Sequence, residues 1–363
     1  MKEKNEIRRH SYGLDVVRVV ALLLIIMVHS FLNSGYNHAS VEGIKMFVLL
    51  FIRNICFSGV LLFMILTGYL KSTKKVDKGH YKSIFRILLI YLIISILTLL
   101  YRKFVVNETE SLYNLIIGIF NFTTIPYGWY VEMYIGLFLL IPFLNILYNN
   151  IPTKKQKILL LIILFIISSL FPTISHLDIA NHSLNIFPDW WSFLYPILLY
   201  FVGAFIREYQ IHLNKWINFC ITILVLFLST FSLYFYLHGN SLSTLSNPEY
   251  SSFPIIISIM IFLLLYNVKT YSKFIFTITS FISSVSFGAY LFSYCFDRIF
   301  YQSIPIVFNT NTYFIASFLI TPLIFFSSIV ASHLVNILIS FFSKLFNYFY
   351  NVRKDIIKNK TPY

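Results

Sequence analysis

Apolar runs with few charged residues recur along the whole of this 363-residue chain. Many of them match the roughly 20 residues that a helix needs to cross the hydrocarbon core of a bilayer. With 58% hydrophobic and only 12% charged residues, the chain lacks the polar side chains that would cover a soluble globule of this size. The sequence therefore predicts an all-α, polytopic integral membrane protein.

Ten of these runs are predicted to be transmembrane helices. They lie near residues 14–34, 44–70, 83–101, 127–148, 158–172, 193–206, 217–237, 253–267, 283–300 and 313–340. Two further segments, Leu112–Phe122 and Phe274–Ile282, are too short to span and are predicted to lie along an interface or to re-enter the membrane. The first run has no small-residue cleavage site, so we expect it to remain as a helix rather than to be removed as a signal peptide.

Basic residues are distributed unevenly between the two sides of this arrangement. Of the 28 Lys and Arg residues, 21 lie on the side of the two termini, whereas only Arg102 and Lys103 lie in loops on the opposite side. Lys and Arg accumulate on the cytoplasmic side of membrane proteins. The sequence therefore predicts cytoplasmic N and C termini, and this topology explains the net charge of +14 without a nucleic-acid partner.

The three cysteines give no sign of a disulfide or a metal site. Cys56, Cys220 and Cys295 all lie inside apolar runs, and their spacing matches no metal-ligand pattern. We therefore expect them to be packing or membrane-facing residues.

Three ionisable residues lie on the first predicted helix, with Asp15 and Arg18 near its beginning and His29 near its end. At about 100° per residue the three side chains share one face, and Arg18 and His29 are roughly 16 Å apart along the axis. Because a charge at mid-bilayer costs roughly 2.5 to 3.5 kcal/mol, this face is predicted to border a protein-lined cavity. The alternative is that Asp15 and Arg18 are interfacial and His29 is a hydrogen-bonded core histidine.

This helix resembles the signature of the membrane-bound acyltransferase family 3, in which a Leu-Asp pair is followed by an Arg and a His separated by ten residues. Three later segments are similar to motifs of the same family: Phe63–Leu70, Gly128–Tyr134 and Ser286–Ser293. Thr67 stands where Ser is usual, which keeps a hydroxyl. Ser293 takes a place often held by His, so any role of that second His is absent or altered here.

The resemblance implies a single transmembrane domain over residues 1–345, followed by a basic cytoplasmic tail over residues 346–363. Such proteins move acyl groups, commonly acetyl or succinyl from coenzyme A, onto hydroxyls of surface carbohydrates. It therefore implies an O-acyltransferase of the bacterial cytoplasmic membrane. Its donor substrate would be acyl-CoA (acetyl-CoA or succinyl-CoA), its acceptor a surface polysaccharide or lipid-linked glycan, and its surroundings membrane lipids. No metal is implied, and a homodimer is compatible with it.

The chemistry of acyl transfer assigns candidate roles to the charged residues. His29 is the candidate general base because neutral imidazole titrates close to working pH, and the alternative is that it carries the acyl group. Asp15 and Arg18 are predicted to take part in catalysis beside it. Arg18, Lys82 and Arg86 are predicted to bind the polyanionic coenzyme A, with positive-inside anchoring as the alternative for the last two.

A second set of residues is predicted to bind the substrate. These are Trp129, Tyr130, Glu132, Arg53 and Tyr290. Trp and Tyr rings stack on sugar faces, and a carboxylate can orient an acceptor hydroxyl. The alternative for Glu132 is a structural ion pair with Arg53. Separately, Asp297 is predicted to pair locally with Arg298.

The remaining histidines are not expected to take part in the chemistry. His333 is predicted to lie in the membrane, His176, His182 and His238 in outer loops, and His10, His80 and His212 in inner ones. Only His38, nine residues after His29, is considered as a second outer-side group.

Two other functional classes fit parts of the sequence. A flippase or transporter of a lipid-linked sugar or small cell-wall precursor would also have about ten helices, buried charges and a basic cytoplasmic face. It would move its substrate without consuming acyl-CoA. The unrelated membrane-bound O-acyltransferases characteristically have their key His late in the chain, whereas the best candidate here lies in the first helix.

Overall fold

The computed structural model describes residues 2–33, 36–175, 178–179, 182–183, 188–242, 251–303 and 310–359. Most of these residues are helical. The first seven α-helices are α1 (Lys2–Asn33), α2 (Gly43–Cys56), α3 (Ser58–Lys71), α4 (Lys78–Lys82), α5 (Ile84–Leu100), α6 (Leu112–Phe120) and α7 (Trp129–Asn149). The others are α8 (Lys154–Phe165), α9 (Phe171–Ser175), α10 (Tyr195–Tyr209), α11 (Lys215–Tyr236), α12 (Ser252–Leu265), α13 (Lys273–Ser303) and α14 (Thr310–Asn359).

Short elements connect or extend these helices. Three are 3-10 turns, at Tyr36–His38, Pro126–Gly128 and Asp189–Leu194. Two π-helical turns, Tyr101–Val105 and Ile166–Leu170, extend α5 and join α8 to α9. A pair of two-residue antiparallel strands lies at Asp178–Ile179 and His182–Ser183.

Nine helical segments of the described chain are long and apolar enough to cross a bilayer, which confirms the predicted all-α, polytopic class. They are Tyr12–Asn33, Gly43–Lys71, Lys78–Val105, Pro126–Asn149, Lys154–Ile174, Trp190–Tyr209, Lys215–Tyr236, Lys273–Tyr301 and Leu319–Lys344. The eighth predicted span, 253–267, corresponds to α12, which has only 14 residues. At 1.5 Å per residue it is about 21 Å long, shorter than the hydrocarbon core. The orientation of the termini stays a prediction.

The two short apolar segments differ in outcome. Within the first segment, Leu112–Phe120 forms the separate nine-residue helix α6, which is too short to span. Its position along an interface stays a prediction. The prediction that Phe274–Ile282 lies along an interface or re-enters is wrong, because this segment is the first part of the continuous 31-residue helix α13. No Gly or Pro interrupts α13 before Gly288, and its serines bond to α1, so the helix continues through this polar stretch.

The last helix continues through the predicted domain boundary. Helix α14 is 50 residues long and has no break in secondary structure between residues 345 and 346.

The centre of the fold is formed by α1, which packs against α3 and α13, and by the close contact of α3 with α10. Gly68 of α3 lies against the backbone carbonyl of Tyr200 in α10, and Gly203 lies against the carbonyl of Ile65. Without side chains at these two positions, the helix backbones approach closely, as small residues allow in membrane proteins. This contact fixes α3, which lines the candidate site.

Replacing Gly68 by Ala should destabilise the fold, because the added Cβ would collide with the Tyr200 carbonyl oxygen. Overpacking of this kind costs about 1 to 3 kcal/mol, so the melting temperature of the purified protein in detergent should fall. Gly136 is the matched control, since a Cβ there meets nothing within 4 Å. An equal loss of stability in Gly68→Ala and Gly136→Ala would contradict this account of the α3–α10 contact.

Candidate active site

Asp15 and Arg18, the two charged residues near the beginning of the first span, form an ion pair. Arg18 Nη1 lies 2.9 Å from Asp15 Oδ1. Two serines of α13 bind the same carboxylate: Ser280 Oγ donates to Oδ2 at 2.8 Å, and Ser283 Oγ donates to Oδ1 at 2.6 Å. Arg18 Nη1 also donates to Ser283 Oγ at 3.1 Å. The pair is therefore held between α1 and α13 inside the protein, and both guanidinium and carboxylate are hydrogen-bonded.

Arg18 lines a cavity of about 490 Å³, which we call the Arg18 cavity. Two further cations, Lys71 and Arg86, line it, together with Thr67 of the segment that resembles the family's second-helix motif. Its wall also contains Tyr130, Tyr134, Tyr290, Ser283, Ser284 and Ser286. No carboxylate is among its described lining residues. Asp15 offsets the charge of Arg18, so Lys71 and Arg86 supply the net positive charge of this volume.

The predicted coenzyme-binding pair is divided by the structure. Arg86, in the first turn of α5, lines the Arg18 cavity, whereas Lys82, at the end of α4, is exposed and does not line it. The helix is interrupted at Ser83 between them. The cation that lines the cavity together with Arg18 and Arg86 is Lys71, the last residue of α3.

His29 is buried, with 7% of its surface exposed, and stacks on Tyr127. The ring centroids are 3.6 Å apart and the planes differ by 13°. Its Nδ1 lies 3.9 Å from Oδ2 of Asp297 in α13, and Tyr127 donates its hydroxyl to the same oxygen at 2.6 Å. The 3.9 Å distance exceeds a hydrogen bond, so the two groups form an ion pair only when the imidazole is protonated. These three side chains form a His-Tyr-Asp cluster.

Asp297 was missed as a site residue, and its predicted local pair with Arg298 is wrong. Arg298 Nη2 instead contacts Glu108 Oε1 at 3.0 Å. A sequence signal did exist: Ser283, Tyr290 and Asp297 are seven residues apart, which places them on one face of a helix. All three residues lie in the predicted span 283–300, but the sequence assigned Asp297 to a local pair with Arg298.

His29 lines a second cavity of about 530 Å³, which we call the His29 cavity. Its polar wall contains His38, Arg53, Asn37 and Tyr127, and its aromatic wall contains Trp129 and Phe57. The structure thus brings His38 into the same cavity as His29, although its side chain is otherwise exposed. This cavity is large enough to receive a sugar ring.

Tyr290 is the one described residue that lines both cavities. Its hydroxyl donates to the backbone carbonyl of Tyr127, and its ring meets that of Tyr130 edge to face at 5.8 Å. The predicted substrate residues Trp129 and Tyr130 are divided at this point, with Trp129 in the His29 cavity and Tyr130 in the Arg18 cavity. Tyr290 is therefore the shared wall of two volumes that follow one face of α1.

The predicted ion pair between Arg53 and Glu132 is not formed. Arg53 is buried, with 6% of its surface exposed, and its guanidinium lies over the Phe57 ring at 4.4 Å. Glu132 is exposed in the first turn of α7, where a carboxylate interacts favourably with the helix dipole, and it lines neither cavity. Opposite charge alone did not identify partners, because Arg53 lines an internal cavity whereas Glu132 is exposed.

The other predicted residues occupy varied positions. Ser293, where relatives often have His, is buried and donates to the Tyr290 carbonyl at 2.7 Å. His80, which the sequence assigned to an inner loop, lies in the short helix α4 and is buried. Its ring stacks on Phe138 at 4.2 Å, and its Nε2 lies 3.0 Å from the Phe138 carbonyl oxygen. His212, His238 and His333 are exposed. His176 and the side chains of His10 and His182 lie outside the described residues.

One comparison with known proteins gives a match. The model of the acyltransferase 3 family, described as an acyltransferase domain, matches residues 11–340. No curated protein and no solved structure matches the chain. The matched range includes all the residues that line the two cavities.

Proposed function

Because the chain belongs to the acyltransferase 3 family and is a membrane acyltransferase, we propose that it transfers an acetyl or succinyl group from acyl-CoA to a hydroxyl of a carbohydrate. The acceptor is a cell-surface or lipid-linked glycan, and the membrane is the bacterial cytoplasmic membrane. The observation that supports this proposal best is the pair of cavities that meet at Tyr290, one lined by three cations and the other by His29.

The Arg18 cavity suits the donor. Coenzyme A carries several phosphates, and Arg18, Lys71 and Arg86 offer guanidinium and ammonium groups that form charge-assisted hydrogen bonds with such oxygens. Asp15 keeps Arg18 in place through its 2.9 Å contact. The positive-inside bias of the sequence predicts that this cavity lies on the cytoplasmic side, where acyl-CoA is made.

The His29 cavity suits the acceptor. It lies roughly 16 Å further along α1 from Arg18, on the side predicted to face away from the cytoplasm. The flat rings of Trp129 and Tyr127 can stack on a sugar. The acyl end of the donor would reach the acceptor at Tyr290, the wall that both cavities share.

The reaction needs one proton to be removed and one to be returned. His29 takes the proton from the acceptor hydroxyl, and the oxygen attacks the thioester carbonyl. The C–S bond breaks, the new ester C–O bond remains, and the thiolate of coenzyme A leaves and takes up the proton. Asp297, 3.9 Å from Nδ1, stabilises the imidazolium that forms and leaves Nε2 for the hydroxyl. An acyl-His29 intermediate stays an alternative with the same residues.

Replacing Arg86 by Ala should chiefly weaken binding of acyl-CoA. Loss of a charge-assisted hydrogen bond is worth about 1.5 to 3 kcal/mol, which corresponds to a KM for acyl-CoA raised about tenfold or more, with a small change in kcat. Steady-state kinetics of the purified protein in nanodiscs measure both constants.

Lys82→Ala is the matched control for Arg86→Ala, because Lys82 lies four residues earlier but outside the cavity. It should keep the wild-type KM. Equal increases in both variants would indicate a general charge effect of this membrane edge and would count against the donor site proposed for the Arg18 cavity.

The proposed function itself is tested with the purified protein in liposomes, labelled acyl-CoA and a glycan extract. We expect label to appear on glycan in a form released by mild base. Movement of a lipid-linked sugar across the bilayer without turnover of acyl-CoA would support the flippase alternative and overturn the proposal.

A further inference from the structure

Arg53 is a buried cation in the His29 cavity, and no carboxylate of the described residues forms an ion pair with it. It lies ten residues into α2, roughly 15 Å from the first residue of that helix. Its Nη1 has no hydrogen-bond partner within the described residues, and its guanidinium lies 4.4 Å from the centre of the Phe57 ring. A buried guanidinium of this kind is strongly unfavourable unless water or a ligand compensates for its lost hydration.

The surroundings of Arg53 favour a negatively charged ligand. The described residues that line the His29 cavity include this guanidinium and the imidazoles of His29 and His38, but no carboxylate. Asp297 contacts His29 without lining the cavity. Such a pocket with low-dielectric walls concentrates anions.

We propose that Arg53 binds an anionic group of the acceptor glycan, a phosphodiester or a carboxylate, and so selects acidic glycans as acceptors. This inference rests on the proposed acyl transfer to a carbohydrate. Phe57 supports one face of the guanidinium, and the planar fork matches the two oxygens of a phosphate or carboxylate. An acceptor held in this way would place a neighbouring hydroxyl in the cavity that His29 lines.

The position of Arg53 favours the acceptor over the donor as the source of the anion. Arg53 lines the His29 cavity and not the Arg18 cavity, which has three cations of its own for the phosphates of coenzyme A. The carboxylate of a succinyl group is the competing source. It differs in one testable respect, because removing the acyl group removes that charge but leaves an acidic glycan acidic.

The experiment uses cells that lack the chain and are complemented with the wild type, Arg53→Gln, Arg53→Lys or Lys45→Gln. Surface glycans are fractionated by anion exchange, ester-linked acyl groups are released from each fraction with mild base, and the deacylated glycans are run again on the same column. Lys45 is the matched control, because it lies on the same helix but is exposed and outside the cavity. Each purified variant is also tested for acyl-CoA binding, which reports on an intact fold.

We expect the wild type to acylate glycans that remain bound to the column after deacylation. Arg53→Gln should lower the acyl content of these glycans about tenfold or more, as for loss of a charged hydrogen bond. Arg53→Lys, which keeps the charge but loses the fork, should give an intermediate value, and Lys45→Gln the wild-type value. If the Arg53→Gln protein does not accumulate in cells, the test rests on Arg53→Lys, which should lower the acyl content of these glycans in part.

Two results would overturn this inference and leave the proposed function standing: acylated glycans that become neutral after deacylation, or Arg53 variants that acylate as well as Lys45→Gln. A loss of succinylation with acetylation unchanged would likewise assign Arg53 to the acyl group. If no acylated glycan depends on the chain, the proposed function fails, and the inference fails with it.

Discussion

Replacing His29 by Ala should abolish acyl transfer while the protein still folds and still binds acyl-CoA. General-base catalysis contributes about 10²- to 10⁴-fold, and the truncated side chain would enlarge an existing cavity rather than leave a void in a packed core. Arg18, Lys71 and Arg86 are untouched, so binding of the donor should remain. Transfer of labelled acyl groups and equilibrium binding of acyl-CoA measure the two properties on the same preparation.

His38→Ala is the matched control, since His38 lines the same cavity without contact to Asp297. It should keep most of the activity. Turnover of His29→Ala at close to the wild-type rate would refute the assignment of the base. A labelled protein band that survives denaturation in the wild type and is lost in His29→Ala would favour an acyl-histidine intermediate.

Replacing Asp297 by Asn should lower kcat about 100-fold and leave the KM for acyl-CoA unchanged. Asn is nearly isosteric and can still accept the Tyr127 hydroxyl bond, which measures 2.6 Å in the wild type. It lacks the negative charge that stabilises an imidazolium 3.9 Å away. We therefore expect the loss to appear in the chemical step, which marks Asp297 as a positioning residue for His29.

Two further variants separate this role from a structural one. Asp297→Glu restores the charge and should recover part of kcat. Glu108→Gln removes a carboxylate that contacts Arg102 and Arg298 at the same end of the bundle but lines neither cavity, and it should retain full turnover. The electrostatic role is wrong if Asp297→Asn lowers the melting temperature so far that unfolding accounts for the loss of kcat. It is also wrong if Asp297→Glu recovers none of the lost kcat.

The fold and one face of the site follow from local sequence rules. The length of the apolar runs determined the class, and the spacing of Asp15, Arg18 and His29 placed all three on one face of α1, because a single helix fixes their relative direction. The Asp15–Arg18 pair needed only a three-residue step along the chain. Such features require no knowledge of how helices are arranged.

The features of the candidate site that the sequence did not predict all depend on contacts between segments that are distant along the chain. Asp297 is 268 positions after His29, and only the packing of α13 on α1 brings the two together. The same is true of Lys71, which replaces the predicted Lys82 in the Arg18 cavity because of the path of the chain between α3 and α5. The prediction of an Arg53–Glu132 pair was wrong for the same reason, since opposite charges in a sequence do not show how far apart the two side chains lie in the fold.

The position of Tyr290 has a consequence for the energy supply of the cell. An enzyme that passes an acyl group between two compartments must not become a route for protons or sodium, whose gradients drive transport and ATP synthesis. Because the two cavities are separate volumes with the Tyr290 ring as their shared wall, hydrated ions meet a phenol ring in the middle of the bundle. For transfer, the acyl end of the donor must pass this ring to meet the acceptor hydroxyl, while the rest of the coenzyme stays in the Arg18 cavity.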